Sequence, residues 1–178
     1  KRLLDIILSF FGIIILSPFF TVISIIIKIT SYGSIFFIQK RVGQHAKIFK
    51  MIKFRTMYNN SDSNTISVLG DERITPVGAI LRKYKLDELP EIVNVLLGDM
   101  SFVGPRPLLM DYLRLYSARQ ARRHEVKPGI TGWAQVNGLR GPTDEEGSMN
   151  KRFQHDLYYI KNWNLMLDVY ILIRTVFV

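Results

Sequence analysis

Residues 6–27, IILSFFGIIILSPFFTVISIII, run for 22 positions without a charge, between Asp5 and Lys28. As an α-helix the segment would be about 33 Å long, enough to cross the hydrocarbon core of a bilayer. A secretory leader fits poorly, because the run is too long and no small-residue cleavage site follows it. A helix buried in a protein core is the alternative that composition leaves open. Pro18 lies inside the run, where it removes a backbone N–H and crowds the preceding turn. Ser17 beside it can return a hydroxyl hydrogen bond to the freed carbonyl. Basic residues flank the run on both sides: Lys1 and Arg2 before it, then Lys28, Lys40, Arg41, Lys47, Lys50, Lys53 and Arg55. Lys and Arg are retained on the cytoplasmic face, so both ends are drawn to the same side. A re-entrant helix broken at Ser17-Pro18, entering and leaving by one leaflet, satisfies both observations. A kinked span with basic residues on each side is the competing arrangement.

Working outward, Ser34–Gln39 reads as a short apolar strand that turns at Lys40-Arg41-Val42-Gly43. Residues 47–57, KIFKMIKFRTM, alternate cations with apolar side chains, the pattern of a half-buried strand with one cationic face. Asn59–Asp71 is rich in Asn, Ser and Asp and reads as a loop. Helices are expected from Pro76 to about Lys85, from Asp87 to Leu97 with a stop at Gly98, and from Asp111 to Glu125. Lys127–Gly141 reads as loop or short strand, and Met149–Asn162 and Leu165–Val178 as two closing helices. The last of these is apolar enough to lie on a membrane surface. The expected fold is α+β: a membrane segment over residues 1–29, then a small helix-rich cytoplasmic domain over residues 30–178 with interfacial amphipathic helices.

The whole chain of 178 residues carries 24 Lys and Arg against 15 Asp and Glu, a net charge of +9. That surplus favours an anionic partner: phosphate, nucleic acid or an acidic membrane face. With no cysteine, disulfides and thiolate chemistry are excluded. The chain opens on Lys1 rather than Met, as expected of a piece of a longer protein.

Three stretches bear on chemistry. In Leu86-Asp87-Glu88-Leu89-Pro90 a proline in the first helical turn is tolerated, which sets Asp87 and Glu88 at the positive end of the helix dipole. Adjacent helical residues diverge by about 100°, so the two carboxylates address different targets, although acidic first turns are also common without any catalytic role. Gly104-Pro105-Arg106-Pro107 presents one guanidinium on a stiffened backbone, which suits a pyrophosphate clamp or simply a rigid turn. Arg122, Arg123 and Lys127 precede Gly129 and Gly132, a loop able to bring N–H groups to an anion or an ordinary charged helix end. His124 by itself supports neither a base nor a ligand. No His and Cys cluster has zinc spacing. A hard ion held by one or two carboxylates and substrate phosphates stays open. Neither a P-loop nor a dinucleotide fingerprint occurs.

Read together, KRLLDIILSFFGIIILSPFF, FKMIKFRTM, LDELPEIVNVLLGDMSFVGPRPLL, RRHEVKPGITGWAQVNG and HDLYYIKNWNLMLDV resemble the bacterial sugar transferase family, the monotopic phosphoglycosyl transferases. The resemblance implies a re-entrant helix broken at Ser17 and Pro18, on the cytoplasmic face of a bacterial inner membrane. It implies that Asp87 and Glu88 are the catalytic dyad. Asp87 is then the nucleophile that takes a sugar-phosphate from a UDP-sugar, with release of UMP, before undecaprenyl phosphate accepts it. Magnesium, with Asp87 as a ligand, is implied as the cofactor. Lys53, Arg82 and Arg106 are implied as phosphate-binding positions, and Asp156 as a further substrate-site acid of unassigned role. The implied partners are UDP-sugar, undecaprenyl phosphate and the lipid bilayer, without nucleic acid, and a homodimer is compatible with the reading. Lys85 stands where the family often has Ser or Thr, and Val178 falls short of the usual tail. GPTDEEGSMNKRFQHDLYYIKNW looks like the hexose-transferring long forms. GPRPLLMDYLRLYSARQARRHEV looks like small forms that use modified amino sugars. The donor therefore stays open among glucose, galactose and an amino sugar.

Two other classes compete. A non-catalytic, membrane-tethered basic module explains the charge and the apolar run, and its function would survive Asp87→Asn. A nucleic-acid binder explains the Lys and Phe interleaving of residues 47–55. Its binding would weaken in salt without any UDP-sugar turnover.

Overall fold

The computed structural model of the chain describes residues 1–58, 71–110, 113, 116–140 and 148–178. Helix α1, Arg2–Thr30, is continuous through Pro18. The expected break at Ser17-Pro18 is therefore not an interruption of the helix. Pro18 leaves the Ile14 carbonyl without its usual N–H donor, and Ser17 Oγ donates to that oxygen at 2.8 Å. The hydroxyl repairs the gap that the proline opens. Leu3, Leu8, Phe11, Ile15, Val22 and Ile29 are among the exposed apolar side chains along α1.

Both ends of α1 are fastened to the rest of the chain. At the N-terminal end, Lys1 Nζ donates to the Val103 carbonyl at 2.8 Å and pairs with Asp168 at 2.9 Å. Arg2 donates to the carbonyls of Val95 and Leu96, and buried Asp5 accepts from Ser101 Oγ at 3.0 Å. At the other end Ile23 and Ile27 pack with Phe54 and Leu81, alongside Phe20, Ile35 and Leu86.

Strands β1 (Phe36–Val42) and β2 (Ile48–Phe54) form an antiparallel hairpin in which Phe37 opposes Lys53 and Val42 opposes Ile48. Lys40 and Arg41, expected in the turn, belong to β1. The chain turns at Gly43–Lys47, closed by Gly43 N donating to the Lys47 carbonyl at 2.8 Å. Helix α2 (Pro76–Lys83) begins where Thr75 Oγ1 accepts from Gly78 N, a side-chain N-cap with proline in the first turn.

The helix expected over Asp87–Leu97 is two pieces. Leu86–Glu88 is a 3₁₀ turn entered through Lys85 in the left-handed region (φ 58°), and α3 spans only Glu91–Leu97. Pro90 has no N–H to continue an α ladder backwards, so the preceding residues tighten into i→i+3 bonds. Gly98, at φ 98°, ends α3 as expected.

Strand β3 (Ser101–Val103), not anticipated from the sequence, pairs in parallel with β4 (Gly129–Thr131). The helix expected over Asp111–Glu125 is a shorter α4, Ala118–Ala121, followed by a 3₁₀ turn over Arg122–Glu125. It starts where Ser117 and Gln120 form a capping box. Residues 111, 112, 114 and 115 lie outside the described set, as does the loop expected at Asn59–Asp71 apart from Asp71 itself. Helices α5 (Trp133–Val136), α6 (Ser148–Asn162) and α7 (Leu165–Thr175) complete the α+β fold. Tyr159 and Ile171, from α6 and α7, bury against Val103 and Val136.

Candidate active site

Leu86 packs into the cluster around Ile27 and Phe54, while Val95 in α3 is buried with Phe49, Met51 and Met100. The Asp87-Glu88 turn is suspended between these two cores. Buried Asn94 ties α3 to the hairpin: its Oδ1 accepts from Ile52 N at 3.0 Å and its Nδ2 donates to the Lys50 carbonyl at 2.8 Å. The amide completes the edge of β2 and fixes the strand that carries Lys53. The sequence offered no signal for this role, because Asn within a helix is usually a solvated or indifferent residue.

Lys53 Nζ lies 2.6 Å from Glu88 Oε1 and 3.2 Å from Glu91 Oε1. Arg106 Nη2 lies 2.6 Å from the same Glu88 oxygen, and its Nη1 is 3.5 Å from Oε2. Burial alone would push Glu88 up, but the Arg106 and Lys53 charges prevail and hold it at about 2. Glu91 is buried and stands a turn further on. Burial pushes it up to about 7, opposed by Lys53 and reinforced by Glu88. Sequence reasoning passed over Glu91, whose only signal was its i,i+3 spacing from Glu88.

Asp87 has a different environment. Among the described residues its carboxylate carries no ion pair. Burial raises it above the ordinary carboxylate range, Lys53 and Arg82 opposing and Glu88 reinforcing. Arg82 is anchored by its Nε donating to Thr56 Oγ1 at 2.8 Å, and it interacts electrostatically with Asp87 and Asp71. The expected helix-dipole bias on the dyad does not apply, since both residues precede α3.

Five of the expected site residues, Lys53, Arg82, Asp87, Glu88 and Arg106, therefore share one locality. Asp156 is not among them: it is buried in α6 and pairs with Arg123 at 2.8 Å. The loop with Gly129 and Gly132 also has another role. Gly129 N donates to the Pro105 carbonyl, and a Cβ on Gly129 would stand 2.1 Å from Gly104 N. This glycine permits two backbones to cross and so holds the arginine-bearing loop. His124 is pushed down to about 4 by burial and by Arg123, so it is neutral near pH 7.

No group of three or more His, Cys, Asp or Glu side chains that could hold a metal occurs among the described residues. Among the described residues, then, there is no cage made wholly of such side chains. Magnesium, however, is commonly bound through one or two carboxylates with substrate phosphates completing the shell. Asp87, the dyad carboxylate not committed to a cation, fits that requirement.

The family profile described as bacterial sugar transferase matches residues 1–178. An uncharacterised sugar transferase of Bacillus subtilis is 48% identical over 99% of the chain and 85% of its own length. A UDP-glucose:undecaprenyl-phosphate glucose-1-phosphate transferase of Klebsiella pneumoniae is 46% identical over 99% of the chain. A UDP-N-acetylgalactosamine-undecaprenyl-phosphate N-acetylgalactosaminephosphotransferase of Aeromonas hydrophila is 39% identical over 99% of it. The chain spans 39% and 42% of the length of these last two relatives.

Proposed function

This chain belongs to the bacterial sugar transferase family, and on that premise we propose that it moves a sugar-1-phosphate from a UDP-sugar onto undecaprenyl phosphate. The observation that carries the reading is the division of labour in the dyad. Glu88 is committed to Arg106 and Lys53, and Asp87 beside it carries no ion pair among the described residues.

In this mechanism an Asp87 carboxylate oxygen attacks the β-phosphorus of the UDP-sugar. The bond from that phosphorus to the bridging oxygen breaks, and the electron pair leaves with UMP. The product is an acyl phosphate that links Asp87 to the sugar-phosphate. A phosphate oxygen of undecaprenyl phosphate then attacks the same phosphorus, and breaking of the aspartyl P–O bond restores the carboxylate. Splitting the transfer between two bulky anions in this way is the general advantage of covalent catalysis. Lys53 and Arg106 bind the phosphates, held in place by Glu88, and Arg82 supplies positive potential beside Asp87. A magnesium ion, held by Asp87 and the phosphates, would neutralise charge on the transferring group.

We read residues 1–29 as a re-entrant membrane segment and residues 30–178 as the catalytic body on the cytoplasmic face of the inner membrane. Supporting this, Lys1, Arg2 and Asp5 at one end of α1 and Ile23 and Ile27 at the other all contact the same body. A helix crossing the bilayer would separate its ends by about 30 Å of hydrocarbon. The exposed apolar side chains between those ends suit lipid.

The test is UMP release from UDP-glucose, UDP-galactose and UDP-amino sugars by membrane-reconstituted protein with magnesium and undecaprenyl phosphate. Release with one donor, dependent on the lipid phosphate, is expected. Silence from a folded sample across the panel would contradict the reading.

A further inference from the structure

Arg123 and Asp156 form an ion pair at 2.8 Å with side chains only 1% and 2% exposed. Removing two charges from water is costly unless the geometry repays it, so what this pair holds is informative. From Nη2 the same guanidinium donates to the Arg106 carbonyl at 2.8 Å. Its central carbon lies over the Phe153 ring, 5.3 Å from the centroid. Phe153 and Asp156 are three residues apart on α6 and so share a face, which presents ring and carboxylate to one cation. Tyr116 packs edge-on against Phe153 and closes the cage.

The held carbonyl belongs to the residue whose side chain engages Glu88. Pro105 and Pro107 fix the φ angle on either side of Arg106, and Gly129 N holds the Pro105 carbonyl. Arg123 fixes the remaining element, the peptide plane that follows Arg106. A continuous path therefore runs from Asp156 through Arg123 and the Arg106 backbone to Glu88 and Lys53.

We propose that Asp156 and Arg123 are positioning residues of the transfer reaction: Asp156 orients Arg123, and Arg123 sets Arg106 for the phosphates of the donor. Asp156 itself touches no substrate. The proposal rests on the functional reading above, in which Arg106 binds phosphate, and it replaces substrate contact as the role of Asp156. A small displacement of a positioned group costs up to about a hundredfold in rate.

The test is a double-mutant cycle on the whole reconstituted chain, with Asp156→Asn and Arg106→Ala alone and together. Two readouts are used: kcat/KM for the donor that turns over, and affinity for inorganic pyrophosphate by calorimetry, which needs no turnover. Asp156→Asn is expected to weaken both by about tenfold to a hundredfold. In the Arg106→Ala background it is expected to have almost no further effect, because coupled residues are non-additive. Full additivity, or wild-type behaviour of Asp156→Asn, would overturn the proposal. If Asp156→Asn does not fold, Arg123→Lys keeps the charge but lacks the planar guanidinium whose Nη2 meets both Asp156 and the Arg106 carbonyl, and the same masking by Arg106→Ala is expected. A wild type that binds pyrophosphate yet releases no UMP would count against the proposed reaction alone, and the cycle would still be read from binding. A wild type that does not bind pyrophosphate would overturn the positioning role with it.

Discussion

Arg106 Nη2 stands 2.6 Å from Glu88 Oε1, the oxygen that Lys53 Nζ approaches at the same distance. One carboxylate thus organises two cations that would otherwise repel, and its neighbour Asp87 carries no ion pair among the described residues, as the proposed mechanism requires. Glu88→Gln keeps the shape but removes the charge that holds the cations together. Turnover is expected to fall by about a hundredfold or more, with the thermal midpoint of the variant measured alongside. Near-normal rates would remove Glu88 from the mechanism.

Glu91 gives a pH signature. Its pKa is raised from the ordinary 4.5 to about 7. Between those values the unfolded chain has released this proton while the folded chain retains it. Stability contributed by the protonated group is full below pH 4.5 and is lost as pH rises towards about 7. Glu91→Gln mimics the protonated form, so it should raise the thermal midpoint at pH 8 and leave it nearly unchanged at pH 5. At about 1.4 kcal/mol per pKa unit, the gain at pH 8 is at most on the order of 3 kcal/mol. Glu88, held at about 2, acts in the opposite sense: its contribution is present above pH 4.5 and fades only as pH falls towards 2.

Lys85 enters the dyad turn at φ 58°, a left-handed conformation that costs most side chains about 1–2 kcal/mol and that Gly, and to a lesser extent Asn, adopt more readily. Lys85→Gly or Lys85→Asn should match or exceed wild-type stability. Lys85→Val should be less stable than wild type, because a β-branched side chain tolerates this region worst, and should slow turnover, because Asp87 lies two residues on. Chemical unfolding and UMP release measured in parallel on all three check this. Equal behaviour of Val and Asn would refute the strain.

The re-entrant reading predicts topology. The chain has no cysteine, so one can be introduced at Tyr32, which is 92% exposed, or added ahead of Lys1. In sealed cytoplasmic-side-out vesicles a membrane-impermeant maleimide should label both positions. Protection of either one would establish a crossing helix.

How much of this was legible in the sequence depends on the range of the interaction. Ser17 bonding back to the carbonyl that Pro18 frees, α2 beginning at Pro76 and Gly98 ending α3 are local, and each follows from residues within one turn. Lys53, Arg82, Arg106 and the dyad were assembled only through the family resemblance, because nothing local connects β2 to a loop more than fifty residues later. Arg123 read as one of several surface cations, yet it is buried, since its partner Asp156 comes from a different helix. Asn94 and Glu91 escaped notice because a polar residue on an apolar helix face reveals its partner only in three dimensions. The Asp87-Glu88 turn was mistaken for α-helix because the left-handed Lys85 carries no glycine or asparagine to announce it.

The central claim, that Asp87 carries the sugar-phosphate covalently, is tested most directly by isotope exchange without the lipid acceptor. Reconstituted protein is incubated with magnesium, the unlabelled UDP-sugar and labelled UMP, and label entering the UDP-sugar is measured. A covalent intermediate predicts exchange in the wild type and none in Asp87→Asn. Turnover with acceptor but no exchange without it, or exchange that persists in Asp87→Asn, would contradict the account.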